Sequence, residues 1–84
     1  MNTVIQRKVT LTADWQPLSP VSLVGSFDIS APPSNASPVL FLADDGSEVG
    51  WIPSEFHYLP RVDLSQIQVK GTPGDVLTVV GGTW

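Results

Sequence analysis

A chain of 84 residues has room for one domain, residues 1–84, around one thin core; with no Cys and a single imidazole, His57, it offers neither a disulfide nor a thiolate or multi-His metal cage to staple that core. Only 14% of the residues are charged, against about 25% in typical soluble proteins. The formal net charge is -4 and the four cations, Arg7, Lys8, Arg61 and Lys70, are spread along the chain, so the clustered phosphate track of a nucleic-acid binder is excluded, as is a transmembrane helix, which needs an apolar run of about 18 residues.

Eight Pro and seven Gly leave no window with helical periodicity longer than two turns, and an all-β domain is expected. Residues 1–7 read as an N-terminal arm, overlapping a strand candidate from Ile5 to Thr12 in which Ile5, Arg7, Val9 and Leu11 share one face. Arg7 is the discordant member of that face and is expected at a sheet edge. The next strand runs from Val21 to Ser30, with Leu23, Gly25, Phe27 and Ile29 inward. Pro38 to Ala43 and Glu48 to Ile52 follow, joined by the turn Asp44-Asp45-Gly46-Ser47.

Pro53 to Pro60 is bracketed by prolines and sets three rings, Phe56, His57 and Tyr58, in consecutive positions, which reads as neither an ordinary strand nor a full helix; one helical turn capped by Ser54 is the alternative. Val62 to Lys70, the five-residue turn Gly71 to Asp75, and Val76 to Val80 read as a hairpin, with a bulge or bend at Ser65 and Gln66 where the apolar positions slip from even to odd. Six strands at short spacing suit a small antiparallel β-sandwich or jelly-roll-like barrel of about six to eight strands.

Little in the chain points to chemistry. Asp44, Asp45, Ser47 and Glu48 look superficially like a calcium loop, but a tight turn already explains Asp-Asp-Gly. His57 as a base has only Ser54 and Glu55 beside it, and Ser19, Ser22 and Ser65 lack a nucleophile-elbow context. No catalytic, cofactor or metal-ligating residue is assigned, and a non-enzymatic protein is expected. The sequon Asn35-Ala36-Ser37 is followed by Pro38 and is read as chance. The aromatic residues remain. Trp51, between Val49 and Ile52 in a strand candidate, is expected in the core, whereas Trp15 lies in a connection and Trp84 ends the chain, so both are candidates to meet a partner.

The first strand Lys8 to Thr12, the strand opening at Pro38-Val39, and Arg61 to Gly71 leading through Gly74-Asp75 to Val76 to Gly82 resemble small β-rich virion proteins of tailed bacteriophages, in particular capsid decoration or cement proteins. That resemblance implies a β-sandwich, a homo-oligomer with a trimer favoured, and attachment to the major capsid protein or other virion proteins on the outer head surface, after synthesis in the host cytoplasm. The Met1 to Arg7 start carries no secretion signal, in keeping with that expectation. The expected partner contacts are Val4, Ile5, Arg7, Trp15, Phe56, His57, Tyr58 and Trp84, with no cofactor, nucleic acid or membrane involved. A tail or fibre module is the alternative, as is a small carbohydrate-binding module, which would need Trp15, Trp51 or Trp84 on one exposed plane.

Overall fold

The computed structural model describes residues Thr3–Trp84, folded as two four-stranded antiparallel sheets. In chain order the strands are β1 (Val4–Thr10), β2 (Gln16–Pro17), β3 (Val24–Ser30), β4 (Val39–Leu42), β5 (Glu48–Trp51), β6 (Phe56–Asp63), β7 (Gln68–Lys70) and β8 (Val76–Gly82), with a 3₁₀ turn at Leu64–Gln66. Sheet A has the order β1-β8-β3-β6 and sheet B the order β2-β7-β4-β5. The architecture is the small all-β sandwich expected from the alternating runs.

The core lies between the sheets. Period-2 alternation sends Phe27 and Ile29 of β3, Leu77 and Val79 of β8, and Ile5 of β1 inward from sheet A. Sheet B answers with Val39, Phe41, Trp51 and Val69, and Phe41 stacks on Trp51 with ring centroids 3.9 Å apart. Phe27, Ile29, Val39, Val69 and Leu77 are completely buried, each worth about 1.5–3 kcal/mol relative to exposure. Trp51 is thus a core residue, as its neighbours suggested. Arg7 occupies an inward-parity position but sits on edge strand β1, where its side chain escapes to solvent.

Three local expectations are corrected. First, Val62–Lys70 and Val76–Val80 do not form a hairpin: β7 pairs with β2 and β4 in sheet B, whereas β8 pairs with β1 and β3 in sheet A. The turn itself is real. Asp75 N–H donates to Thr72 O at 3.0 Å, with Pro73 and the positive-φ Gly74 (97°) in its middle, the residue order of a type II turn. It carries the chain across the sandwich instead of folding it back. The bend expected at Ser65 and Gln66 is the 3₁₀ turn, and it moves the chain from sheet A to sheet B while Leu64 plugs the core.

Second, Phe56 to Pro60 belongs to a strand. Proline is tolerated because β6 is the edge of sheet A and the register shifts there: Pro60 and Arg61 together stand opposite Ser26, with Arg61 at φ 54°. Ser26 Oγ accepts from the Arg61 N–H at 3.2 Å and closes the bulge. Third, residues 1–7 are not an arm throughout. Val4 to Arg7 are paired with Gly82 to Val79 in the β1–β8 ladder, and the part of the arm at residues 1–2 lies outside the described residues.

Side chains fasten the connections. Asn35 is buried, and its amide donates to Val76 O (2.8 Å) and accepts from Val76 N–H (3.0 Å), imitating a strand residue beside β8. Both ends of the sequon amide are therefore occupied. The Asp75 carboxylate accepts from the N–H groups of Ala36 and Ser37, holding the same loop. Asp63 accepts from Ser22 Oγ (2.7 Å), Leu23 N–H (3.0 Å), Ser65 N–H (3.0 Å) and Ser65 Oγ (2.7 Å), so one carboxylate ties the start of β3 to the sheet-switching turn. These bonds, that from Ser22 first, hold its carboxyl well below the ordinary Asp range.

Candidate docking face

Residues paired across an antiparallel ladder point to the same side, so the register of sheet A specifies its outer surface. One row reads Gln6, Val80, Asp28, Tyr58; the next reads Lys8, Thr78, Ser30, Phe56. Val4, Gly82 and Ser26 form the row beyond Gln6, and Val24 extends it along β3. Among the described residues, six of the ten exposed large hydrophobic ones, Val4, Val24, Phe56, Tyr58, Val80 and Trp84, therefore gather on this one face. Across the Gln6 and Lys8 rows the only charges are Lys8 and Asp28. At the Val24 end the face also carries Asp63, opposite Val24, and the Arg61 bulge opposite Ser26, so an apolar centre lies between charged margins, the layout of protein contact surfaces.

Trp84 is built into the face. Its indole lies directly over Gly82, where an added Cβ would fall 1.8 Å from the ring, and Ser26 Oγ donates to the Trp84 carbonyl at 2.8 Å. Ser26 thus serves the bulge of β6 and the C-terminus together. Thr83 N–H donates to Thr3 O at 3.0 Å, and Thr83 Oγ1 accepts from Thr3 N–H at 2.8 Å, so the last residues are tied to the first described ones. Half of the Trp84 surface remains open to solvent, next to Val4 and Val80.

The eight residues expected to make partner contacts divide by location. Val4, Phe56, Tyr58 and Trp84 lie on the outer face of sheet A. Ile5 is a core residue at 9% exposure and points the other way, because it is one position out of phase with Val4. Arg7 lines the β1 edge. Trp15 is half-buried beside sheet B, its ring 4.7 Å from Lys70 Nζ. His57 stands at the β6 edge, its imidazole 4.6 Å from the Trp51 ring and its Nε2 2.6 Å from Glu55 Oε2.

The His57 contact is structural in form. Glu55 Oε1 accepts from Ile52 N–H, Glu55 O accepts from Ala31 N–H, and Ser54 N–H donates to Ala31 O, so the Glu55 carboxylate and its backbone close the connection from β5 to β6. The hydrogen bond from His57 draws the Glu55 carboxyl below its ordinary value. Ser54 sits at φ 81° in the turn and makes no bond to the imidazole, so the residues beside His57 form a brace. Asp44 to Ser47 is likewise a turn: Asp45 Oδ1 accepts from Ser47 N–H and Oγ, and Gly46 takes φ 88°.

Reading the sequence missed Val24 and Val80. The alternation Val76-Thr78-Val80 against Leu77-Val79 is visible, but both rows are rich in valine, and the choice of inward row depends on pairing with β3. Sheet B has an outer groove of about 490 Å³ lined by Ala13, Pro38, Leu40, Lys70 and Pro73. Its cation is engaged with Glu48 at 2.9 Å. The three tryptophans share no exposed plane: Trp51 is in the core, Trp15 lies by sheet B and Trp84 on sheet A.

No family model matches the chain, and neither a curated protein nor a solved structure matches it.

Proposed function

We propose that this protein is a non-enzymatic virion component of the capsid decoration type, which docks through the outer face of sheet A onto the major capsid protein and stabilises the assembled shell. The observation that carries the docking role is the gathering of Val4, Val24, Phe56, Tyr58, Val80 and Trp84 on one face of a long-stranded sheet. Rings held on regular strands lose little conformational freedom on contact, and large aromatic residues dominate interface energetics. The capsid as target rests on the resemblance of the strand and turn sequence to decoration proteins. A net charge of -4 supports an outer capsid site over one facing packaged DNA. Self-association, with a trimer favoured, belongs to the same reading, because it would cover apolar area that a monomer leaves wet.

The test is addition of the purified chain to shells assembled from the major capsid protein of the genome that encodes it. Saturable binding and a higher rupture temperature are expected, with binding weakened by Trp84→Ala and Tyr58→Ala. Failure of the folded wild-type chain to bind shells, or its recovery on virion tails alone, would overturn the decoration reading. Sedimentation of the free chain at micromolar concentration tests the oligomer.

A further inference from the structure

We infer that the free edge of β1 is a strand-addition site for an extended, carboxylate-bearing segment of a partner protein. Thr83 N–H donates to Thr3 O and Leu11 N–H to Asp75 O, and the unbroken register between them, Val4 opposite Gly82 through Thr10 opposite Val76, turns the odd-numbered residues of this stretch toward β8. The even-numbered residues Val4, Gln6, Lys8 and Thr10 therefore direct their N–H and C=O groups away from the sheet. Gln16 Nε2 donates to Thr10 O at 2.8 Å, capping the far end. Val4, Gln6 and Lys8 keep three donors and three acceptors in line.

Among the described residues the other three sheet edges are blunted. β6 is interrupted by Pro60 and the bulge at Arg61, β2 is two residues long and ends on Pro17, and β5 has four residues. Sheets defend their edges with proline, bulges, short strands and charged side chains; β1 has only the last, Arg7 and Lys8, a defence that repels like-charged strands and that a carboxylate-bearing strand would neutralise. A regular seven-residue edge left open in this company is a pairing surface.

Charge selects the occupant. Arg7 and Lys8 are adjacent on β1, one on each side of the sheet, and neither makes an ion pair among the described residues; the neighbouring strand β8 brings no charge. The edge is thus locally cationic on a chain of net charge -4. A second copy is the poorer occupant, because the antiparallel register that overlaps all seven residues sets Arg7 opposite Arg7, and like charges directly opposed destabilise a ladder. A partner strand with carboxylates opposite Arg7 or Lys8 gains backbone bonds and charge pairing together. This inference does not depend on the partner being a capsid.

The test titrates the isotopically labelled full chain, by NMR, with an end-blocked synthetic peptide alternating glutamate and valine. Shifts confined to β1 and its flanks are expected, with affinity lowered at least about tenfold for the peptide methylated on alternate amides and for its lysine counterpart. Gln6→Pro should weaken binding similarly while leaving the rest of the spectrum intact, since the Gln6 N–H does not serve the β8 ladder. Should that variant not fold, the double charge reversal Arg7→Glu with Lys8→Glu takes its place and should transfer preference to the lysine peptide. Three results would overturn the inference: no binding of the glutamate peptide to the wild-type chain, equal binding of the methylated peptide, or concentration-dependent β1 shifts without peptide, which would make a second copy the occupant.

Discussion

Sheets A and B enclose one core yet present different outer surfaces. In sheet A, β1, β3, β6 and β8 are seven or eight residues long, so backbone ladders hold them; their outward hydroxyls bond one another or the chain, as Ser30 does Thr78, but the outward apolar side chains Val80, Phe56 and Tyr58 stay exposed. In sheet B the strands have two to four residues, and side chains supply what the short ladders lack. Lys70 is engaged by Glu48 and Trp15, Gln16 reaches Thr10 O, and Asp45 organises the β4–β5 turn. The lesson is that surface freedom follows ladder length. Long strands free a face for binding, whereas short strands recruit theirs for folding.

The largest test of that contrast is the core the sheets share. Phe27→Ala empties the centre of sheet A's inner face and should cost about 3–5 kcal/mol, read as a lower urea midpoint. A loss under about 1 kcal/mol would mean that the two sheets do not depend on one packed interior.

Next in size is Asn35→Ala, which leaves the Val76 N–H and C=O without their partner and should cost about 1–3 kcal/mol by the same measurement. Hydrogen exchange at Val76 should accelerate more than at Leu77. Equal acceleration would show that the loop is not held to β8 through this amide.

The third test is felt in acid. The folded Asp63 carboxyl titrates below the unfolded value of about 3.9, so the unfolded chain takes up this proton first as pH falls. Its contribution is complete above the unfolded value and is lost as pH drops through it toward the folded one. Asp63→Asn should therefore destabilise at neutral pH and flatten the decline of stability below about pH 5. Parallel acid curves for the two proteins would exclude Asp63 as the source.

The smallest effect on folding sharpens the comparison most. Phe56→Thr and Tyr58→Thr replace each ring with a β-branched residue that also favours the strand and should change stability by no more than about 0.5 kcal/mol, while shell binding falls by about 2 kcal/mol or more per ring. Leu40→Thr, in the groove of sheet B, should leave shell binding unchanged. If Leu40→Thr weakens binding as much as Tyr58→Thr does, the docking face has been placed on the wrong sheet.

What could be read from the sequence alone was local. Alternation at Ile5 to Leu11 and Leu23 to Ile29 marks inward rows because a strand repeats every two residues, and Asp44 to Ser47 and Thr72 to Asp75 form turns because Gly46 and Gly74 reach positive φ without a Cβ clash. Trp51 among apolar strand neighbours belongs in a core on the same grounds. Only the tertiary structure decided partnership. The Thr72–Asp75 turn has the chemistry of a reversal, yet whether the strands beside it pair with each other or cross to opposite sheets depends on β2 and β4 claiming β7 while β1 and β3 claim β8. Pro60 likewise argues against a strand until β6 is known to be an edge with a bulge that absorbs it. The docking face is of the same kind: Val4, Val80 and Tyr58, far apart in the chain, come onto one face with Trp84 only through the β1–β8–β3–β6 register. Backbone conformation is set by each residue and its neighbours, but hydrogen bonds between strands join residues up to eighty positions apart, and no local pattern encodes which of several suitable partners is taken.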